Sequence, residues 1–155
     1  MTIALLVVDD HSLIRAAVRE VLARTDLAIV AEAATAAEAL RLALEPQVQV
    51  MLLDLGWLDG ESSVPSEVGL ELLEQIRSRR AELPILMYSG RSEPAYVRRC
   101  RELGARGYVI KGAGKAQLVS ALNAVYAGEQ VWPDQIGRRE QSRPAMAGAP
   151  ARPPP

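Results

Sequence analysis

Residues 3–22, IALLVVDDHSLIRAAVREVL, change their apolar period in the middle, and that change decides the fold. Ile3 to Val8 is a continuous apolar run rich in branched side chains, which suits a strand buried on both faces of a parallel sheet. Beyond it Ile14, Ala17, Val18, Val21 and Leu22 recur at spacings of three and four, so an amphipathic helix is expected over roughly Ser12 to Arg24. Between the two stand Asp9, Asp10 and His11.

The same unit repeats down the chain. Leu27 to Val30 reads as a strand, and Ala36 to Leu44 as a helix with Leu40, Ala43 and Leu44 inward, closed by Pro46. Val48 to Leu53 is a third strand ending at Asp54. After a polar loop, Val68 to Arg80 reads as a helix through Leu72, Leu73 and Ile76, followed by a strand over Ile85 to Tyr88. Pro94 is placed to open the next helix and Gly104 to end it. Tyr108 to Ile110 is the last strand, and Lys115 to Ala127 the last helix. Five β–α units predict an α/β fold with a doubly wound five-stranded parallel sheet.

Right-handed crossovers bring the carboxyl ends of all the strands to one edge, where open α/β sheets bind ligands. That edge is expected to collect Asp9 and Asp10 from strand one, Asp54 from strand three, Ser89 from strand four and Lys111 from strand five. Carboxylates forced together repel unless a cation joins them, and hard oxygen ligands suit Mg²⁺. A carboxylate can also attack a phosphoryl group, with metal and ammonium offsetting charge on its oxygens. Asp54, facing the acidic pair, is the candidate nucleophile. Ser89 and Lys111 are placed to contact the phosphoryl oxygens, and would interact more strongly once Asp54 is modified, a difference that makes a switch.

In this order and spacing the motifs Val7-Val8-Asp9-Asp10-His11, Leu52-Leu53-Asp54-Leu55, Met87-Tyr88-Ser89-Gly90, Gly104-Ala105-Arg106-Gly107-Tyr108 and Val109-Ile110-Lys111 resemble the receiver domains of bacterial response regulators. The resemblance spans Ile3 to Val131 and implies the flavodoxin-like (βα)5 receiver fold. It implies Mg²⁺ on Asp9, Asp10, Asp54 and the backbone carbonyl of Gly56, and phosphorylation of Asp54 by a histidine kinase. Ser89 matches the family's hydroxyl position, Lys111 its lysine, and Tyr108 the aromatic whose inward or outward rotamer reports phosphorylation. Homodimerisation on phosphorylation is a further implication. The sequence Asp9-Asp10-His11, with no proline after Lys111, is most similar to the NarL/FixJ subgroup.

The chain departs from the family pattern in three places. Leu58 stands where a proline is usual, and the matching stretch comes later, at Val64-Pro65-Ser66-Glu67-Val68-Gly69-Leu70. Trp57 to Ser63 thus reads as an insertion beside Asp54. Its Asp59 and Glu61 could add ligands or repel a phosphoryl group, or the segment is an ordinary loop expansion. Gly90 replaces the usual alanine. Finally, nothing after Trp132 has the periodicity of a helix-turn-helix, so no DNA-binding domain is expected here, whether the chain is a stand-alone regulator or a fragment.

Length and composition agree with one domain. The 155 residues, 49% hydrophobic, suffice for one full core. Residues 1–131 are assigned to the domain, and 132–155 to a disordered tail rich in Arg, Pro and Ala or a truncated linker. Residues 1–137 carry a net charge of −4 and residues 138–155 a net +3. The single cysteine, Cys100, cannot form an internal disulfide, and Ile3 to Val8 is too short to span a bilayer. A cytoplasmic location without membrane contact fits best.

Plainer readings compete at each position. Asp9 and Asp10 could merely cap the first helix, Asp54 could be an ordinary strand-end carboxylate, Ser89 a turn serine and Lys111 a surface lysine. His11 is read as structural, Tyr108 as either switch or half-buried strand residue, and Cys100 as core. Two other functions stand beside the phosphoacceptor: a receiver-like scaffold that works without phosphorylation, and a haloacid-dehalogenase-like phosphatase. Those phosphatases place nucleophile and acid two residues apart, whereas Asp9 and Asp10 are adjacent and position 11 is His.

Overall fold

The computed structural model describes residues 2–54 and 68–133; the Gly56 carbonyl, the Trp57–Ser63 insertion and the chain beyond Pro133 lie outside them. Strands and helices alternate as β1 (Ile3–Val8), α1 (Ser12–Leu22), β2 (Leu27–Ala33), α2 (Ala36–Ala43), β3 (Val50–Leu53), α3 (Val68–Arg79), β4 (Ile85–Ser89), α4 (Pro94–Glu102), β5 (Gly107–Ile110) and α5 (Lys115–Tyr126). The strands form one parallel sheet in the order β2-β1-β3-β4-β5. The strand order reverses between β1 and β3.

Each strand divides its side chains between two cores. Leu6, Val8, Met51, Leu53, Ile85 and Met87 face Ala39 and Ala43 of α2, Leu73 and Ile76 of α3, and Val97 and Cys100 of α4. Leu5, Val7, Val50, Leu52, Leu86 and Val109 face Val18 and Leu22 of α1 and Leu118, Leu122 and Val125 of α5. The result is a three-layer sandwich, which is why the strands read as unbroken apolar runs rather than alternating ones. All four residues of β3 are at most 2% exposed. At roughly 1.5–3 kcal/mol for each large apolar side chain buried, that strand can hold a costly carboxylate at its end.

The structure corrects several boundaries. β2 runs on through Ala33 because Ala31, Glu32 and Ala33 pair with Leu6, Val7 and Val8 after a register shift at Leu5/Leu6. Sheet pairing overrides a local sequence with weak strand character there. α1 stops at Leu22, since Arg24 takes a left-handed conformation (φ 66°). Leu44 is not inward: it is the C-cap of α2 and 36% exposed, and Ala39 takes the buried position. Ala17 is exposed on α1. Gly104 does end α4, with φ +107°.

Two tethers hold connecting segments against the packed layers. Arg80 donates from Nη1 to the carbonyls of Ala43 and Glu45 and from Nη2 to that of Val48, tying the α2–β3 connection to α3. Past α5 the chain returns to the sheet. Val131 bridges Gly107 in parallel, accepting from the Tyr108 amide and donating to the Arg106 carbonyl. Trp132 packs partly buried against the α2–α4 core, and the Arg101 guanidinium lies over its ring.

Candidate functional site

The backbone ladder sets the acidic edge. The Asp9 amide donates to the Ala33 carbonyl of β2 and the Asp54 amide to the Val8 carbonyl of β1, so both aspartates leave the sheet side by side. The Lys111 amide donates to the Ser89 carbonyl, which sets the ends of β4 and β5 level. Residues up to 102 positions apart therefore meet. Asp9 and Asp54 are 1% and 2% exposed, and the Lys111 ammonium reaches both, at 3.4 Å from Asp9 Oδ2 and 2.5 Å from Asp54 Oδ2. The Lys111 ammonium also sits 5.8 Å from the centre of the Tyr88 ring.

Burial by itself would raise the Asp9 carboxyl. A hydrogen bond shared with the Asp54 carboxyl, the His11 amide and the Lys111 ammonium together outweigh burial and hold it below the usual carboxylate range. For Lys111 burial works to lower the ammonium, and the Asp54 and Asp9 carboxylates overcome it and hold it above the usual lysine range.

Asp10 is arranged differently. Its side chain is 41% exposed, and its Oδ1 lies 2.8 Å from His11 Nδ1. Neither aspartate caps α1, whose N-cap is His11 with no side-chain cap bond. Instead Asp9 Oδ1 accepts from the His11 amide at 2.9 Å and lies 3.0 Å from His11 Nδ1. Ligand atoms of Asp9, His11 and Asp54 all fall within 4.8 Å of one another, a group able to hold a metal ion.

Ser89 is fully buried, and its Oγ accepts from the Arg91 amide at 3.2 Å. Tyr108, 2% exposed, points inward and donates its hydroxyl to the Arg91 carbonyl at 2.7 Å. Burial pushes that hydroxyl above the usual phenol range against the opposing hydrogen bond with Ser89. Cys100 is buried in the core, where desolvation raises its thiol to about 12.

Arg15 stands outside the motifs at this edge. Arg15 donates from Nη1 to the Asp9 carbonyl at 2.5 Å and from Nε to Glu32 at 2.9 Å, bracing the turn that carries the acidic pair. Only its position one turn into α1, opposite an acid at the end of β2, hints at this. His11 was read as structural, yet its ring faces both Asp9 and Asp10.

This fold, with acids at the ends of β1 and β3 and a lysine at the end of β5, defines a response-regulator receiver. The chain matches the response regulator receiver domain over residues 5–123 and belongs to that family. Among its relatives are response regulator GacA of Pseudomonas syringae pv. syringae, 32% identical over 88% of this chain and 61% of GacA, and response regulator UvrY of Escherichia coli K12, 31% identical over 88% of this chain and 60% of UvrY. The chain thus spans about three fifths of the length of these curated relatives. A LuxR-family two-component response regulator from Aurantimonas superposes with a TM-score of 0.76 at 29% identity, covering 94% of this chain and 99% of that one. A LuxR-family DNA-binding response regulator from Silicibacter pomeroyi gives 0.68 at 26% identity, covering 86% and 98%. The similarity to the NarL group read from Asp9-Asp10-His11 is borne out by these relatives. Among the described residues no helix is long and apolar enough to cross a membrane.

Proposed function

We propose that Asp54 accepts a phosphoryl group from a histidine kinase and that the modification switches a protein-interaction or dimerisation face. The observation that carries this reading is the Lys111 ammonium shared between the buried Asp54 and Asp9 carboxylates at the carboxyl edge of the sheet. Asp9, Asp10 and Asp54, with the Gly56 carbonyl, are the proposed Mg²⁺ ligands, a hard-oxygen set of the kind that ion takes. Bound Mg²⁺ would offset negative charge building on the phosphoryl oxygens.

A carboxylate oxygen of Asp54 attacks the phosphorus, the bond to the kinase imidazole nitrogen breaks, and the electron pair leaves with that nitrogen. Lys111 is freed from its carboxylate partner as the Asp54 charge moves to the phosphoryl group, and follows it. To donate its hydroxyl to a phosphoryl oxygen Ser89 gives up its side-chain hydrogen bond with Tyr108, while its oxygen can go on accepting from the Arg91 amide. Modification of Asp54 is thereby linked to Tyr108, the second residue of β5. The domain is assigned to residues 1–131, the function to the cytoplasm, and control of any further segment to the α4–β5–α5 side.

Intact-mass analysis after incubation with Mg²⁺ and acetyl phosphate tests the assignment. A single phosphoryl adduct is expected on the wild type and none on Asp54→Asn. An adduct on folded Asp54→Asn would place the acceptor elsewhere. No adduct and no beryllofluoride binding on folded wild type would leave the phosphorylation-independent scaffold.

A further inference from the structure

Past α5 the chain turns back on the domain. Gly128, at φ +96°, makes the turn, and the Gly128 and Glu129 amides close the helix onto the Val125 and Ala124 carbonyls. Residues 129–133 then run along the outer edge of β5 as a strap. One residue pair holds it there: the Val131 amide donates to the Arg106 carbonyl at 3.1 Å, and the Tyr108 amide to the Val131 carbonyl at 2.8 Å. Val131 packs against the α1–α5 core and Trp132 against the α2–α4 core, so successive side chains go to opposite faces as in a sixth strand. The pairing stops at Pro133, which has no N–H to offer the Tyr108 carbonyl. Beside the strap opens a groove of about 480 Å³ whose lining includes Tyr108, Ile110, Lys111, Gln117, Val131 and Trp132.

The seat of the strap is built from residues that a phosphoryl group on Asp54 would engage. Lys111 lines the groove, and its ammonium holds Asp54. Tyr108 holds Val131 through its amide, while its hydroxyl donates to the Arg91 carbonyl and shares a hydrogen bond with Ser89. We propose that the strap is a latch antagonistic to phosphorylation: docked on β5, it holds Tyr108 in the buried position that keeps Ser89 engaged, and modification of Asp54 releases it from the β5 edge. This deepens the phosphoacceptor reading and rests on it. The attachment is light enough to reverse, being one backbone pair, a partly buried Val131 and a partly buried indole with the Arg101 guanidinium 5.3 Å from its ring centre. Coupling of this kind is reciprocal, so the factor by which docking weakens binding of a phosphoryl mimic is the factor by which the mimic weakens docking. Release uncovers the Tyr108 amide and the Arg106 carbonyl, edge groups able to pair with another strand.

Hydrogen exchange of the whole chain with and without Mg²⁺ and beryllofluoride tests this, together with beryllofluoride titrations of wild type, Trp132→Ala and Val131→Pro. Trp132→Ala removes the indole, and Val131→Pro removes the amide that bonds the Arg106 carbonyl. On beryllofluoride binding the Tyr108 and Val131 amides of wild type are expected to exchange at least about fivefold faster, and both variants to bind beryllofluoride at least about fivefold more tightly, the lower end of ordinary allosteric coupling. Wild type that binds beryllofluoride with those amides unchanged or slower, or folded variants that bind it no more tightly, overturns the latch, makes the strap a fixed part of the core and leaves the phosphoacceptor reading standing. The exchange measurement on wild type needs no variant, so it decides even where a substitution unfolds the domain. Failure of wild type and of the folded variants alike to bind beryllofluoride overturns the phosphoacceptor reading, and the latch with it.

Discussion

Replacing Lys111 with methionine keeps the aliphatic stem and removes the one cation that the described residues place against both buried aspartates. In the wild type that charge lies 2.5 Å from Asp54 and 3.4 Å from Asp9. Coulomb's law at an effective permittivity of about 20 gives about 7 and about 5 kcal/mol of gross attraction at those separations. Much of this is offset by desolvation of the ammonium, and the net loss on breaking a buried pair is about 3–5 kcal/mol, because the two buried carboxylates lose the counter-charge they share. Lys111 is 24% exposed, so the lower end, about 3 kcal/mol, is expected in metal-free protein. Urea unfolding in chelator and in saturating Mg²⁺ measures it. If the pocket takes Mg²⁺, the deficit should shrink markedly with the ion present. Lowering the pH should also narrow the gap to wild type, since protonating either carboxyl relieves their repulsion. A deficit under about 1 kcal/mol without metal, well below the cost of breaking a buried pair, would refute the argument that Lys111 compensates two desolvated charges.

The wild type has its own pH dependence. Asp9 titrates lower in the folded than in the unfolded chain, so its contribution is present above the ordinary carboxylate value and is lost as pH falls through the folded value. Lys111, raised in the folded state, contributes fully below the ordinary lysine value and loses that contribution as pH rises through its folded value. Metal-free stability measured across pH should therefore fall at both extremes, and Asp9→Asn should remove the acid-side component assigned to that group. Arg80→Ala removes three hydrogen bonds to carbonyls, of which that of Glu45 keeps the Val48 amide as donor, and should cost about 2–3 kcal/mol in urea unfolding while leaving phosphorylation by acetyl phosphate intact. Gly107→Ala would bring a Cβ within 2.8 Å of both Leu86 Cδ1 and the Val131 carbonyl. It should cost about 1–3 kcal/mol and loosen the Val131 bridge, seen as faster hydrogen exchange at the Tyr108 amide.

The chain by itself determined the number, order and type of the elements, because helix and strand periods are local and each strand's apolar run is continuous. It also placed Asp9, Asp54, Ser89 and Lys111 on one edge, since right-handed crossovers leave no other arrangement. Only the tertiary structure decided what each group does there. Lys111 is shared between two aspartates because the β3, β1 and β5 ends lie level, a property of sheet register that no local pattern encodes. β2 extends to Ala33 because β1 supplies partners, Leu44 turns out because α2 ends beneath it, and Arg80 serves as a tether because three carbonyls from another unit converge on it. His11 shows the same division most sharply. Its place after two aspartates is plain in the sequence, but whether its ring caps the helix or faces the acids depends on an N-cap dihedral and on the position of Asp54, which arrives from β3. Periodicity reports which face of an element is buried; contacts between side chains from distant elements arise only when the packed layers bring them together.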